Sequence, residues 1–164
     1  MRKIDSLGLK LCNFQAQLFE ESLNKYECSS RIFVRRFMNS DLAKRMDNDG
    51  FLFESLTITD ALDEIEQQYG ESTYGKEKYT VEEMHWIGYI YRYWSFSYGL
   101  TSRQIYKIAK PEQMRKLYFP YHSLDPRQAI DRIIEGTGME TTNEAYSISR
   151  GVEILRKIKN RNKI

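Results

Sequence analysis

The stretch Thr80-Val81-Glu82-Glu83-Met84-His85-Trp86-Ile87-Gly88-Tyr89-Ile90-Tyr91-Arg92-Tyr93-Trp94-Ser95-Phe96-Ser97-Tyr98-Gly99 decides the fold. Thr80 with Glu83 three residues on is a capping-box pattern, in which hydroxyl and carboxylate each satisfy a backbone N–H left over at a helix start. Gly99 supplies the left-handed stop. Between the two, apolar and aromatic residues fall nearly all round the helix, which places it at the centre of the protein. Arg92 is the one charge in it drawn toward the core, where it would stack on Tyr or Trp and pair with an acid. Large rings continue as Tyr106, Tyr118, Phe119 and Tyr121, a density that makes either an aromatic core or a preorganised recognition surface.

Outward from this segment, apolar spacing is helical almost everywhere. Ile4, Leu7, Leu11, Phe14 and Leu18 form the stripe of a long first helix, widened by Phe19, Leu23 and Tyr26. Ser29 or Ser30 can cap a second helix carrying Ile32, Phe33, Phe37 and Met38, and Asp41 can start a short third around Leu42 and Met46. Asn48-Asp49-Gly50 reads as a turn. A fourth helix from Thr57 or Thr59 to Tyr69 turns Ala61, Leu62 and Ile65 inward and ends at Gly70, and the polar stretch Glu71 to Lys78 reads as a mobile loop.

Beyond the aromatic helix, Thr101 or Ser102 caps a short helix through Ala109. Pro111 opens another that Pro120 should end, and Asp125-Pro126 starts one with Ala129, Ile130, Ile133 and Ile134 buried. A last helix is expected from Asn143 to Asn160. No segment keeps a strand period, so the fold class is all-α: an irregular multi-helix bundle with a central aromatic helix. The division is a bundle core over residues 1–136 and a basic helical extension over 137–164.

With 41% apolar residues the chain can bury one sizeable core. It has no apolar run able to span a bilayer, and its start lacks the apolar stretch of a secretory signal, which makes the cytoplasm the expected location and excludes a membrane partner. Cys12 and Cys28 read as buried free thiols. The net charge of +2 conceals banding: Glu54, Asp60, Asp63, Glu64, Glu66, Glu71, Glu77, Glu82 and Glu83 face only Lys76 and Lys78, between flanks that lean basic.

Chemistry-bearing patterns are few. Glu82 and His85 form half of a di-metal bundle motif without the second half, so no metal and no cofactor is expected. The pair of helices from Gly99 to Tyr118 resembles a helix-turn-helix with Gln113, Arg115 and Lys116 as DNA contacts. Arg115 and His122, with six residues between them, resemble the Arg and His of the HEPN ribonucleases, in which the histidine activates a ribose hydroxyl and the arginine stabilises phosphorane charge. Pro120 between them and Lys116 after the arginine depart from that motif.

Three runs carry a further resemblance: Cys28-Ser29-Ser30-Arg31-Ile32-Phe33-Val34-Arg35-Arg36-Phe37-Met38-Asn39-Ser40, Trp86-Ile87-Gly88-Tyr89-Ile90-Tyr91-Arg92-Tyr93-Trp94 and Leu117-Tyr118-Phe119-Pro120-Tyr121-His122-Ser123-Leu124-Asp125-Pro126. They are similar to runs in a family of small uncharacterised bacterial proteins often encoded beside ADP-ribosyltransferase-like toxins. That resemblance implies an antitoxin or immunity-like component whose partner is the cognate toxin, and it brings no catalytic residues. Neutralising a toxin requires only anchors and charge complementarity. Tyr118, Tyr121, His122, Arg35 and Arg36 are the candidate anchors, with Asp63, Glu64 and Glu66 as the acidic contact.

Overall fold

A computed structural model of the chain describes residues 2–48, 51, 55–137 and 158–161. Among them every regular element is helical: α1 (Ser6–Lys25), α2 (Ser30–Met38), α3 (Asp41–Met46), α4 (Ile58–Tyr69), α5 (Val81–Tyr98), α6 (Ser102–Ile108), α7 (Pro111–Tyr121) and α8 (Pro126–Glu135). The caps explain these boundaries. Asp5, Ser40, Thr57 and Asp125 each accept a hydrogen bond from the first turn of the following helix, while Thr80 with Glu83 and Thr101 with Gln104 form reciprocal capping boxes. Gly99 ends α5 at φ 65°, a conformation that favours glycine.

As its composition requires, α5 is central and packs against α1, α6, α7 and α8. Its longest joint is with α1, and Gly88 makes that joint possible. A Cβ there would stand 2.8 Å from both the Gln15 carbonyl and Phe19 Cγ, so the two backbones approach as closely as they do only because the position is bare. Phe19 then meets Phe33, Phe37 and Tyr91 edge-on across α2 and α5, the arrangement that ring quadrupoles favour.

Arg92 is only 1% exposed, and the core is built to receive it. Its Nε donates to Gln15 Oε1 of α1 at 2.7 Å, Nη1 to Asp47 Oδ1 at 2.8 Å and Nη2 to Ser102 Oγ of α6 at 2.9 Å. Gln15 in turn donates to the Gly88 carbonyl, and Asp47 also accepts from the Ser102 hydroxyl and backbone N–H. The expected acid is thus Asp47, at the end of α3; hydrogen bonds to Gln15 and Ser102 hold the guanidinium in place of the ring stacking.

Several local expectations need correction. Leu7 is 46% exposed, because the inward position on that turn of α1 belongs to Gly8, whose missing side chain leaves room for Phe96. Pro120 does not end α7, which continues to Tyr121. The bond it forfeits is to the Lys116 carbonyl, on an exposed turn where water can serve, and only one helical residue follows. Ser29 occupies the N-cap of α2 without a side-chain cap. The stretch 71–78 does that work instead: Ser29 N–H donates to the Tyr74 carbonyl and Ser30 N–H to the Glu77 carbonyl, while Lys78 Nζ donates to the Tyr26 carbonyl. The stretch is the loop that the sequence predicts, and it lies as a strap hydrogen-bonded across the start of α2. Most of the expected last helix lies outside the described residues; residues 158–161 are helical, with Ile158 against the core and Arg161 donating to the Thr137 carbonyl at 3.2 Å.

Gly88→Ala should destabilise the fold by about 1–3 kcal/mol in urea unfolding, since neither the Gln15 backbone nor the Phe19 ring can give way freely. Arg92→Ala and Asp47→Ala should each cost about 3–5 kcal/mol, and the double variant clearly less than their sum, because each single change strands a buried charge that the double change removes.

Candidate functional site

Five acids of the band, Asp63, Glu64, Glu66, Glu77 and Glu83, pair with cations from the basic flanks of the same chain. Lys25 of α1 reaches Asp63 at 2.9 Å and Glu66 at 3.3 Å on α4, and Arg45 of α3 donates to both oxygens of Glu64 at 3.0 Å. Arg115 of α7 pairs with Glu77 of the strap and Glu83 of α5 at 2.6 and 3.2 Å. Asp63, Glu64 and Glu66 therefore lie at the α1–α4 and α3–α4 joints, each with an intramolecular cation. Arg36 is also engaged, donating to the Gly70 carbonyl at 2.8 Å with its guanidinium over Tyr69, while its neighbour Arg35 is exposed.

Helix α7 divides into two halves. Its first half is fastened: Pro111 and Met114 are buried, and the Arg115 guanidinium lies 4.6 Å from the Tyr79 ring centre. Of the three candidate DNA contacts, Gln113 and Arg115 are half-buried and Lys116 is exposed. The second half carries a rim of rings. Tyr118 packs edge-on against Trp86 of α5 at 5.9 Å between centroids, and His122 stacks on Tyr118 at 4.6 Å. Phe119 projects outward at 83% exposure, the most exposed of the large hydrophobic side chains among the described residues. Tyr121 is half-buried beside them.

His122 Nδ1 faces the carbonyls of Tyr118 and Phe119 at 2.9 and 3.0 Å, so a proton there donates back into the helix end and Nε2 is the nitrogen left for another contact. Arg115 lies about 10 Å away along the axis by helical rise, in a cleft of about 330 Å3 whose lining includes Glu77, Glu83 and Lys116 but not His122. The structure thus joins Tyr118, Phe119 and His122 in one rim, leaves Tyr121 on the same turn packed against the core, and sets Arg115 and His122 in separate surroundings. Phe119 was passed over as an anchor in the sequence; its signal is that it follows Tyr118 on a helix whose buried positions are already taken.

His85 is paired with Glu20 of α1 rather than with a second Glu-x-x-His motif. Among the described residues no group of three or more His, Cys, Asp or Glu side chains is placed to hold a metal, and no helix is long and apolar enough to cross a membrane. Both cysteines are free and buried. Burial pushes the Cys12 thiol up to about 12, against an opposing attraction from Arg92. Burial likewise raises the Tyr89 and Tyr93 phenols, with the Asp125 carboxylate among the smaller causes.

No model of a known protein family matches the chain, and no curated protein or solved structure matches it.

The Cys12 shift has a measurable sign. Because the folded value lies above the ordinary thiol value of 9.0, its contribution to stability is complete below pH 9 and is lost as pH rises toward 12. Wild-type unfolding free energy should therefore fall by about 1.4 kcal/mol per pH unit more steeply than that of Cys12→Ala over this window, measured by urea titration at successive pH values.

Proposed function

We propose that this protein is a protein-binding module, the antitoxin or immunity-like member of a bacterial pair, which acts in the cytoplasm and holds its toxin through the aromatic rim at the end of α7. The observation that carries this reading is Phe119, an 83% exposed ring beside His122 and the Tyr118 that His122 stacks on, with Tyr121 half-buried on the same turn of a helix fastened at its other end. Lone exposed apolar residues are ordinary, but a cluster of rings on a rigid support is the composition of an interface hot spot. Fixing the rings before binding lowers the ordering cost that association would otherwise incur.

The partner class comes from the three runs resembling proteins encoded beside ADP-ribosyltransferase-like toxins, two of which supply this rim and the Trp86 beneath it. Neutralisation on this model is steric. Phe119 fills a pocket on the toxin, Tyr118 and Tyr121 pack around it, and His122 Nε2 and the tyrosine hydroxyls supply directional hydrogen bonds. The acids of α4 serve this mode less well, since Lys25 and Arg45 already neutralise them. A DNA reader on α7 would depend on Arg115, whose charge Glu77 and Glu83 meet.

Affinity capture of the tagged chain from its native host, with the neighbouring gene intact, should recover a stoichiometric transferase-like partner. Phe119→Ser should weaken the complex by about 30-fold or more while leaving the thermal midpoint of the free protein unchanged, whereas Asp63→Asn should weaken it far less. The reading fails if the neighbouring product is harmless when expressed alone, or if Phe119→Ser binds it as tightly as wild type.

A further inference from the structure

At the turn from α2 into α3, facing the start of α6, lies a cleft of about 370 Å3 whose walls include Met38, Asn39, Lys44, Asp47, Thr101 and Arg103. Residues 38–48 and 101–103 meet here because Asp47 holds Ser102 through its hydroxyl at 2.7 Å and its backbone N–H at 2.9 Å. The walls are therefore set by the same buried network that centres on Arg92. That volume falls at the lower end of sites for small molecules.

The polar groups around the cleft are unbalanced toward donors. Asp47 forms the floor, but its oxygens already accept from Arg92, Ser95 and Ser102, and the Arg92 guanidinium neutralises its charge. Arg103 donates through Nε to Asn39 Oδ1 at 3.2 Å, which orients the guanidinium, and its Nη1 and Nη2 have no partner among the described residues. Lys44 Nζ likewise has none among the described residues. Among the described residues, those set against these donors are one uncommitted carboxylate, the exposed Asp41, and the side-chain oxygen of Asn48.

We infer that this cleft is a binding site for a small molecule bearing an oxyanion, a phosphate ester or a carboxylate, held between Lys44 and Arg103 with its hydroxyl groups toward Asp41 and Asn48. The Arg103 fork matches the planar or tetrahedral edge of such a group, and Lys44 adds a mobile point charge. The floor favours an anion over a cation, because the Asp47 carboxylate is already neutralised by Arg92 and accepts from Ser102 through both oxygens. This inference is independent of the toxin-binding reading, which uses the far end of α7.

Titration of the full-length, nitrogen-15-labelled chain with inorganic phosphate and, separately, with acetate, each at constant ionic strength, tests it by amide chemical shift. Saturating shifts are expected at Lys44, Asn48, Thr101 and Arg103 for at least one of the two anions. Phosphate alone would assign a phosphate ester, and acetate alone a carboxylate. Lys44→Ala and Arg103→Ala, both at exposed positions, should each weaken binding about tenfold, and Lys44→Arg should retain it. Shifts that fail to saturate with either anion, that follow the surface lysines in general, or that persist in the Lys44→Ala/Arg103→Ala double variant would overturn the assignment.

Discussion

A buried guanidinium has to have its donors met, and in this protein the requirement fixes the positions of four helices. Arg92 enters the core from α5 and finds Gln15 on α1, Asp47 at the end of α3 and Ser102 at the start of α6. Replacing such a pair by well-packed apolar residues is often neutral or stabilising, so the network is poorly explained as a source of net stability. What it supplies is registry. Apolar contacts along α1 and α5 would tolerate a small slide of one helix past the other, but a slide carries Gln15 away from both Arg92 Nε and the Gly88 carbonyl, leaving buried polar groups unpaired.

Charge banding plays the same part at the surface. Acids gathered between Phe51 and Glu83 would repel one another if α4, the strap and the start of α5 were left alone. In the fold each cluster meets a cation from a basic flank: Lys25 from α1, Arg45 from α3, Arg115 from α7. Exposed pairs of this kind contribute little stability apiece. Their arrangement nevertheless disfavours packings in which α4 faces away from α1 and α3.

Legibility in the sequence followed the range of the interaction. Thr80 and Glu83, Gly99, Asp125 and Pro126, and the all-round apolar character of α5 act over a few residues, so the elements and the all-helical class could be read directly. The destination of Arg92 was readable as a buried charge, but not its partners, because Asp47 and Gln15 are distant in the chain and carry no local mark. Leu7 and Gly8 show the limit of periodicity: a bare position can be the buried one when a ring such as Phe96 fills the gap. The same holds for the candidate site. Tyr118, Tyr121 and His122 were visible as a ring-rich run, whereas the commitment of Asp63, Glu64 and Glu66 to Lys25 and Arg45 depends on which helices lie side by side.

Helix α7 shows how rigidity and exposure are combined. Arg115, held by Glu77 and Glu83 and set over Tyr79, fastens the first half to the strap and to α5. Trp86 supports Tyr118, and Tyr118 supports His122, so the order continues outward through ring contacts to the helix end. Pro120 limits the backbone there to helical φ while removing an N–H that the last turn can do without. Phe119 is left largely uncovered, with the His122 ring 6.4 Å away between centroids, on a helix backbone that the support holds in place. A ring exposed on a flexible segment would lose that freedom on binding and give back part of the gain from its burial; one held in advance keeps more of it. What sets this rim apart from a lone exposed ring is therefore the chain of contacts from Trp86 through Tyr118 to His122 more than the exposed area of Phe119.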